Sequence, residues 1–187
     1  AFWWEEVPND RTAYNYRTWT YLLGVQQETL LDGGAGVSSV TEDIVLDAIN
    51  LARHRGISTD DPRWPIAAFE CWPTPEAVVG IKKGQEVPIL GAVVLRLQMR
   101  ELGKPTGPEI LVRCKVFKSG LSDWNGIILG ARTLDHPARG GLGFKPTPGA
   151  HSFAGIGILM PRAEQLSDGD TRRDGAYRAT LVHSGDM

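Results

Sequence analysis

Short apolar, β-branched runs alternate with polar turns over most of this chain, and a single stretch departs from that pattern. Residues 18–23 are β-branched and aromatic and predict a strand, residues 24–27 a short turn, and residues 28–32 a second strand that ends on Asp32. Three glycines, Gly33, Gly34 and Gly36, follow within four positions, so the backbone can turn sharply there. The period then changes from two to 3.6. Thr41 is placed as an N-cap, with Glu42 and Asp43 at the positive end of the helix dipole. Ile44, Val45, Ala48, Ile49 and Ala52 form one apolar stripe; Arg53, His54 and Arg55 fill the last turn, and Gly56 terminates it. That stripe reads as core or interface.

Past a polar, proline-bearing loop over 58–65, strands and turns return. The pattern predicts strands at 67–72 (ending at Pro73 and Pro75), 77–81 and 87–90, the last two flanking a hairpin tip at 82–85. In 92–99, Leu95, Leu97 and Met99 alternate with Arg96 and Gln98, as in a half-buried strand. A turn at 103–108 precedes a strand at 110–117. A short buried strand over 124–130 is stopped by glycine, with a helical turn at 131–135. Two more short strands are expected at 140–144 and 153–160. Residues 1–17 read as an aromatic and charged arm, 18–162 as the folded domain, and 163–187 as a polar, flexible tail.

Composition narrows the class without changing this picture. The 187 residues are 42% hydrophobic, enough for one sizeable core, and the 22 glycines and 12 prolines suit many short strands and turns. A net charge of −2 gives no electrostatic case for nucleic acid. Cys71 and Cys114 lie far apart, and the four histidines are scattered. A disulfide scaffold and a metal site are therefore not expected, and a reducing, intracellular compartment is. No apolar run approaches a membrane span and no signal pattern is visible. A start at Ala1-Phe2-Trp3 suggests a piece of a longer polypeptide. Both cysteines are expected to be buried thiols, Trp72 and Trp124 core or cleft-wall aromatics, and Arg132 a partner for a carboxylate at the base of the fold, within the chain or across a dimer.

Chemistry centres on Leu30-Leu31-Asp32-Gly33-Gly34-Ala35-Gly36. An Asp before a glycine loop is often a turn-capping residue. Two chemistries also want this arrangement. The glycines could form the loop of an S-adenosylmethionine-dependent methyltransferase, with Glu70 as ribose-binding carboxylate. Against that, the last position of the usual glycine pattern is Ser38, Glu70 lies well beyond the spacing of about 20 residues typical of such folds, and residues 66–160 lack the crossover helices of a parallel sheet. Alternatively, Asp32 could be half of an aspartic dyad, in which two carboxylates share one proton.

The order of motifs favours the dyad. Leu30-Leu31-Asp32-Gly33-Gly34-Ala35, then a hairpin over 79–88, then Ile127-Ile128-Leu129-Gly130 with a helical turn, resembles the retropepsins, the aspartic proteases of retroviruses and long-terminal-repeat retrotransposons. Residues 87–96 and 127–135 also resemble segments of algal or protist retroelement polyproteins. The resemblance implies an all-β, closed barrel-like retropepsin fold with one or two helices and one lobe per chain. It implies Asp32 as the catalytic residue and Gly33, Gly34 and Ala35 as the active-site loop. It further implies a substrate-binding flap and cleft drawn from Val79, Gly80, Ile81, Gly84, Val87, Ile127 and Ile128. No cofactor or metal is implied. With one such loop in the chain, the second carboxylate would come from a second copy, giving a homodimer that binds an extended peptide and processes its own polyprotein in the cytoplasm or a retroelement particle. One departure is sharp: the family carries Thr or Ser after the Asp, where this chain has Gly33. The alternative reading is therefore a weak or inactive retropepsin-fold module for dimerisation or peptide binding.

Overall fold

The computed structural model describes residues 16–82, 85–120 and 126–163; the side chains of 74–86 lie outside that description. Strand β1 (Tyr16–Leu22) turns directly into β2 (Val25–Leu31). Leu23 at φ 50° and Gly24 at φ 77° make the two-residue connection, a left-handed pair that matches the twist of a hairpin. β2 thus begins three residues before the sequence pattern predicts. Gln27 and Thr29 hid the alternation: they are polar, yet face inward between Val25 and Leu31. Inside, the Thr29 hydroxyl donates to the Gln27 main-chain carbonyl (3.1 Å) and bonds the Thr20 hydroxyl (2.8 Å), so the two threonine hydroxyls satisfy each other within the barrel.

The remaining elements are β3 (Ser39–Thr41), α1 (Glu42–His54), β4 (Ile66–Lys82), β5 (Gln85–Gln98), β6 (Glu109–Phe117), β7 (Ile127–Leu129), α2 (Ala131–Leu134) and the short strands β8 (Phe144–Pro146), β9 (His151–Phe153) and β10 (Ile158–Met160). The main sheet runs β1-β2-β7-β3-β6-β5-β4, and pairing of Tyr21 with Gln98 joins β1 back to β5. Six strands thereby close into a barrel, with β4 left outside as an edge. Among the described residues the parallel pairs are β2 with β7 and β3 with β6; all other pairings are antiparallel. This is the mainly β, closed-barrel class expected, and not a doubly wound parallel sheet.

Leu22, Leu31, Val40, Leu95, Leu97 and Cys114 fill the barrel with Ile127 and Leu129, and the α1 stripe of Ile44, Val45, Ala48 and Ala52 packs into the same core. Phe153, Ile158 and Met160 from the β8–β10 sheet extend it. The 161–163 segment is tied to β1: the Thr18 hydroxyl donates to the Pro161 carbonyl (2.9 Å) and the Trp19 indole to that of Ala163 (3.2 Å).

Several expectations are revised. Thr41 stands at the N-cap but makes no side-chain cap; the Ser119 hydroxyl accepts from the Asp43 amide instead (2.8 Å). β4 runs unbroken through Pro73 and Pro75, which an outer edge strand tolerates, with its register shifting between Cys71 and Glu76. Two predicted strands fuse into β5 through a bulge at Gly91, where a Cβ would stand 2.0 Å from the Glu70 carbonyl oxygen. Residues 140–143 are a turn after a 3-10 segment (Pro137–Arg139), not a strand, and Gly140 and Gly143 take positive φ. Cys71 is exposed on the edge strand, whereas Cys114 is buried as expected. Among the described residues Arg132 has no carboxylate partner; near α2 that pairing is Arg139 with Asp135 (2.8 Å). Trp124 and the tail beyond Ala163 lie outside the described residues, as does the arm before Tyr16.

Candidate active site

Asp32 follows immediately on the last residue of β2, and three strands fix where it points. β7 lies between β2 and β3, parallel to the first and antiparallel to the second. The Asp32 amide donates to the Leu129 carbonyl (3.0 Å), so the carboxylate is anchored to the very strand that ends in Gly130. Asp32 Oδ1 then accepts from the Gly34 amide (2.8 Å), and the Ala35 amide donates to the Asp32 carbonyl (3.1 Å). This is a side-chain-closed turn of the kind Asp favours before glycine. The turn-capping role and a chemical role coexist here, because the cap uses one oxygen of a two-oxygen group.

The loop is clamped from below. The Ala131 amide donates to the Ala35 carbonyl (2.7 Å), and the Lys115 amide to the Ser38 carbonyl (2.9 Å). Ser38, 3% exposed, accepts from the Gly130 amide (3.0 Å) through Oγ, which also bonds Thr133 Oγ1 (2.6 Å). Gly130 has no alternative at its position: a Cβ there would stand 2.5 Å from the Val37 carbonyl group. Ser38 and Thr133 were not among the sequence candidates. The available signal was a hydroxyl six residues after the Asp, just before β3, and its burial only becomes visible once β7 is threaded between β2 and β3.

Above that clamp the loop is open. Asp32 and Ala35 are half-buried; Gly33, Gly34, Gly36 and Val37 are exposed. Among the described residues no ion pair engages Asp32. A Cβ at Gly33 would meet nothing within 4 Å, whereas one at Gly34 would stand 3.2 Å from Asp32 Oδ1. The loop therefore presents a carboxylate and bare backbone to the surface.

The other candidates divide. Ile127 is fully buried in the barrel core, and Ile128, on the opposite side of the same short strand, is 9% exposed. The backbones of Val79, Gly80 and Ile81 lie in β4 of the projecting β4–β5 hairpin, with Val79 opposite Glu86 and Lys82 opposite Gln85; their side chains, and Gly84 altogether, lie outside the described residues. Val87 is buried in a separate small cluster with Ile89 and Phe117, against half-buried Trp72 at the root of the hairpin. Lys115 Nζ sits over the Trp72 ring (5.6 Å to its centroid). Glu70 is on the outer face of β4, where Arg113 (3.0 Å) and then the Trp72 indole hold its carboxyl below the usual range.

No protein-family model matches the sequence, and no curated protein does. Solved structures similar in fold include the following three. The retroviral protease-like domain of Ddi1 from Leishmania major aligns over 83% of this chain and 97% of its own, at 14% identity and a TM-score of 0.48. EIAV protease complexed with an inhibitor aligns over 64% and 85% (19% identity, TM-score 0.34). A retropepsin-like aspartic protease from Rickettsia conorii aligns over 65% and 77% (14%, 0.35). The fold is retropepsin-like on its own strand order: a closed barrel, an Asp-Gly loop after β2, a projecting hairpin, and a short apolar strand ending in glycine beneath the loop.

Proposed function

We propose that the chain is one half of an aspartic endopeptidase, a homodimer whose active site forms where two Asp32 loops meet on a twofold axis. The observation that carries this reading is the position of Asp32: backbone-anchored to Leu129, backed by Ser38 and Gly130, and half-buried in a loop whose glycines are exposed at the surface of the chain. One carboxylate cannot both take a proton from the attacking water and give one to the peptide carbonyl. Two of them about 3 Å apart share a single proton, because like charges that close cannot both ionise. The unprotonated Asp32 then activates water while its twin donates to the carbonyl oxygen.

In this reading the substrate lies extended between the Asp32 loops and the β4–β5 hairpins, adding a strand by main-chain hydrogen bonds. Closure of the hairpin over it excludes water. Ile128 is the better candidate than Ile127 for the cleft wall, since Ile127 belongs to the core. Self-processing of a longer polypeptide would be the corresponding biological role. The test is cleavage of a peptide library at mildly acidic pH: wild type cleaves, and Asp32→Asn keeps the fold and loses all turnover.

One observation favours a second reading. Gly33 supplies no hydroxyl where the resembling family has one, so the paired loops would lack the cross-dimer bond that locks them. A dimer without turnover, in which Gly33→Thr creates activity, would be a peptide-binding or dimerisation module.

A further inference from the structure

A second feature lies at the other end of the barrel. β2 follows the Leu23–Gly24 turn and ends at Leu31, just before Asp32, and its seven residues at about 3.3 Å each put roughly 20 Å between the two ends. Beside that turn is an open cavity of about 680 Å³, lined by Tyr21, Leu23, Arg63, Pro65, Arg96 and Arg100 together with Glu109 and the 105–106 loop.

Its walls are held by main chain. The Arg96 amide donates to the Pro65 carbonyl (2.9 Å), tying β5 to the segment that carries Arg63. The Met99 amide donates to Pro108 (2.9 Å), the Glu101 amide to Thr106 (3.1 Å), and Gln98 Nε2 to the Gly107 carbonyl. Gly107 has no room for a side chain, since a Cβ would stand 2.6 Å from the Met99 carbonyl oxygen.

Within this frame the cations are unevenly matched. Arg63 is neutralised by Asp61, with Nε at 3.1 Å and Nη2 at 2.9 Å. Arg96 reaches Glu109 only at 3.8 Å, and its buried Nε has no hydrogen-bond partner among the described residues. Arg100 is held at 3.3 Å by two neutral oxygens, the Lys104 carbonyl and the Tyr21 hydroxyl, and among the described residues it pairs with no carboxylate. Two guanidiniums lining one cavity, one fixed by neutral groups and the other only loosely paired, suit a planar or tetrahedral oxyanion. Leu23, Pro65 and Pro105 offer an apolar wall beside it.

We infer that this cavity binds an anionic small molecule, a carboxylate or phosphate group seated at Arg96 and Arg100 with an apolar body against Leu23, Pro65 and Pro105. The site is separate from the Asp32 loop and does not depend on the reading of that loop as a protease centre.

The experiment is calorimetric titration of the full chain with phenyl phosphate and with benzoate, at fixed ionic strength set by sodium chloride. Saturable binding of either probe is expected, and which of the two binds tells phosphate from carboxylate. The double variant Arg96→Gln/Arg100→Gln should weaken it by about tenfold or more, the loss of charge-assisted bonds, with the unliganded melting temperature nearly unchanged. Should the double variant fail to fold, Arg100→Lys keeps the charge and removes the fork, and should still weaken binding several-fold. No saturable binding of either probe, or binding that these folded variants leave unchanged, overturns the inference.

Discussion

The hydroxyls of Ser38 and Thr133 meet at 2.6 Å across 95 residues of sequence, and the Gly130 amide donates to the same Ser38 oxygen. This joins the Asp32 loop to α2 beneath it, through a bond to the Gly130 amide that is itself buried. Ser38→Ala leaves a buried amide and a hydroxyl unsatisfied and should cost about 1–3 kcal/mol in urea unfolding. It should also lower turnover more than it raises KM, since the loop it loosens carries the carboxylate.

Three glycines should respond in opposite ways. Gly91→Ala places a methyl 2.0 Å from the Glu70 oxygen, and Gly130→Ala one 2.5 Å from Val37, both against backbone that cannot swing aside. Each should lose on the order of 3 kcal/mol or more, or fail to fold. Gly33→Thr meets open space and should fold with a melting temperature close to wild type. Under the proposed dimer it should also tighten association, read by analytical ultracentrifugation.

The two thiols should separate cleanly. Cys71 is exposed, while burial pushes the Cys114 thiol up to about 12. A thiol reagent at pH 8 should label one cysteine per folded chain at once and the second only after denaturation, with peptide mapping placing the fast label on Cys71. Fast labelling of Cys114 would mean the barrel opens.

The Arg139 guanidinium, and then the His136 amide, hold the Asp135 carboxyl at about 2, below its ordinary 3.8. A depressed carboxylate stabilises the fold above its unfolded value and loses that contribution as pH falls through the folded one. The melting-temperature difference between wild type and Asp135→Asn should therefore stay constant from neutrality to about pH 5 and shrink between about pH 4 and 2. A mildly acidic cleavage assay lies above that window.

Much of this fold was legible because its signals were local. The α1 stripe, the Ile127–Leu129 strand and the Asp32-Gly33-Gly34 loop each declare themselves within a few residues. What stayed hidden depended on distant partners. Gln27 and Thr29 look like surface residues until the barrel closes around Thr20; Pro73 and Pro75 look like strand breakers until β4 proves to be an edge. Ser119 replaces Thr41 as the cap of α1 from 76 residues away. For the site, the carboxylate was readable and its support was not, because Ser38 and Thr133 acquire meaning only when β7 lies between β2 and β3.

The central claim is that two Asp32 carboxylates from two chains make one site, and mixing tests it most directly. Wild type and Asp32→Asn, unfolded together and refolded at constant total protein, should pair at random. Cleavage should then fall as the square of the wild-type fraction, to about one quarter in an equimolar mixture. A linear fall to about one half, or a wild type that cleaves no peptide, would contradict the account.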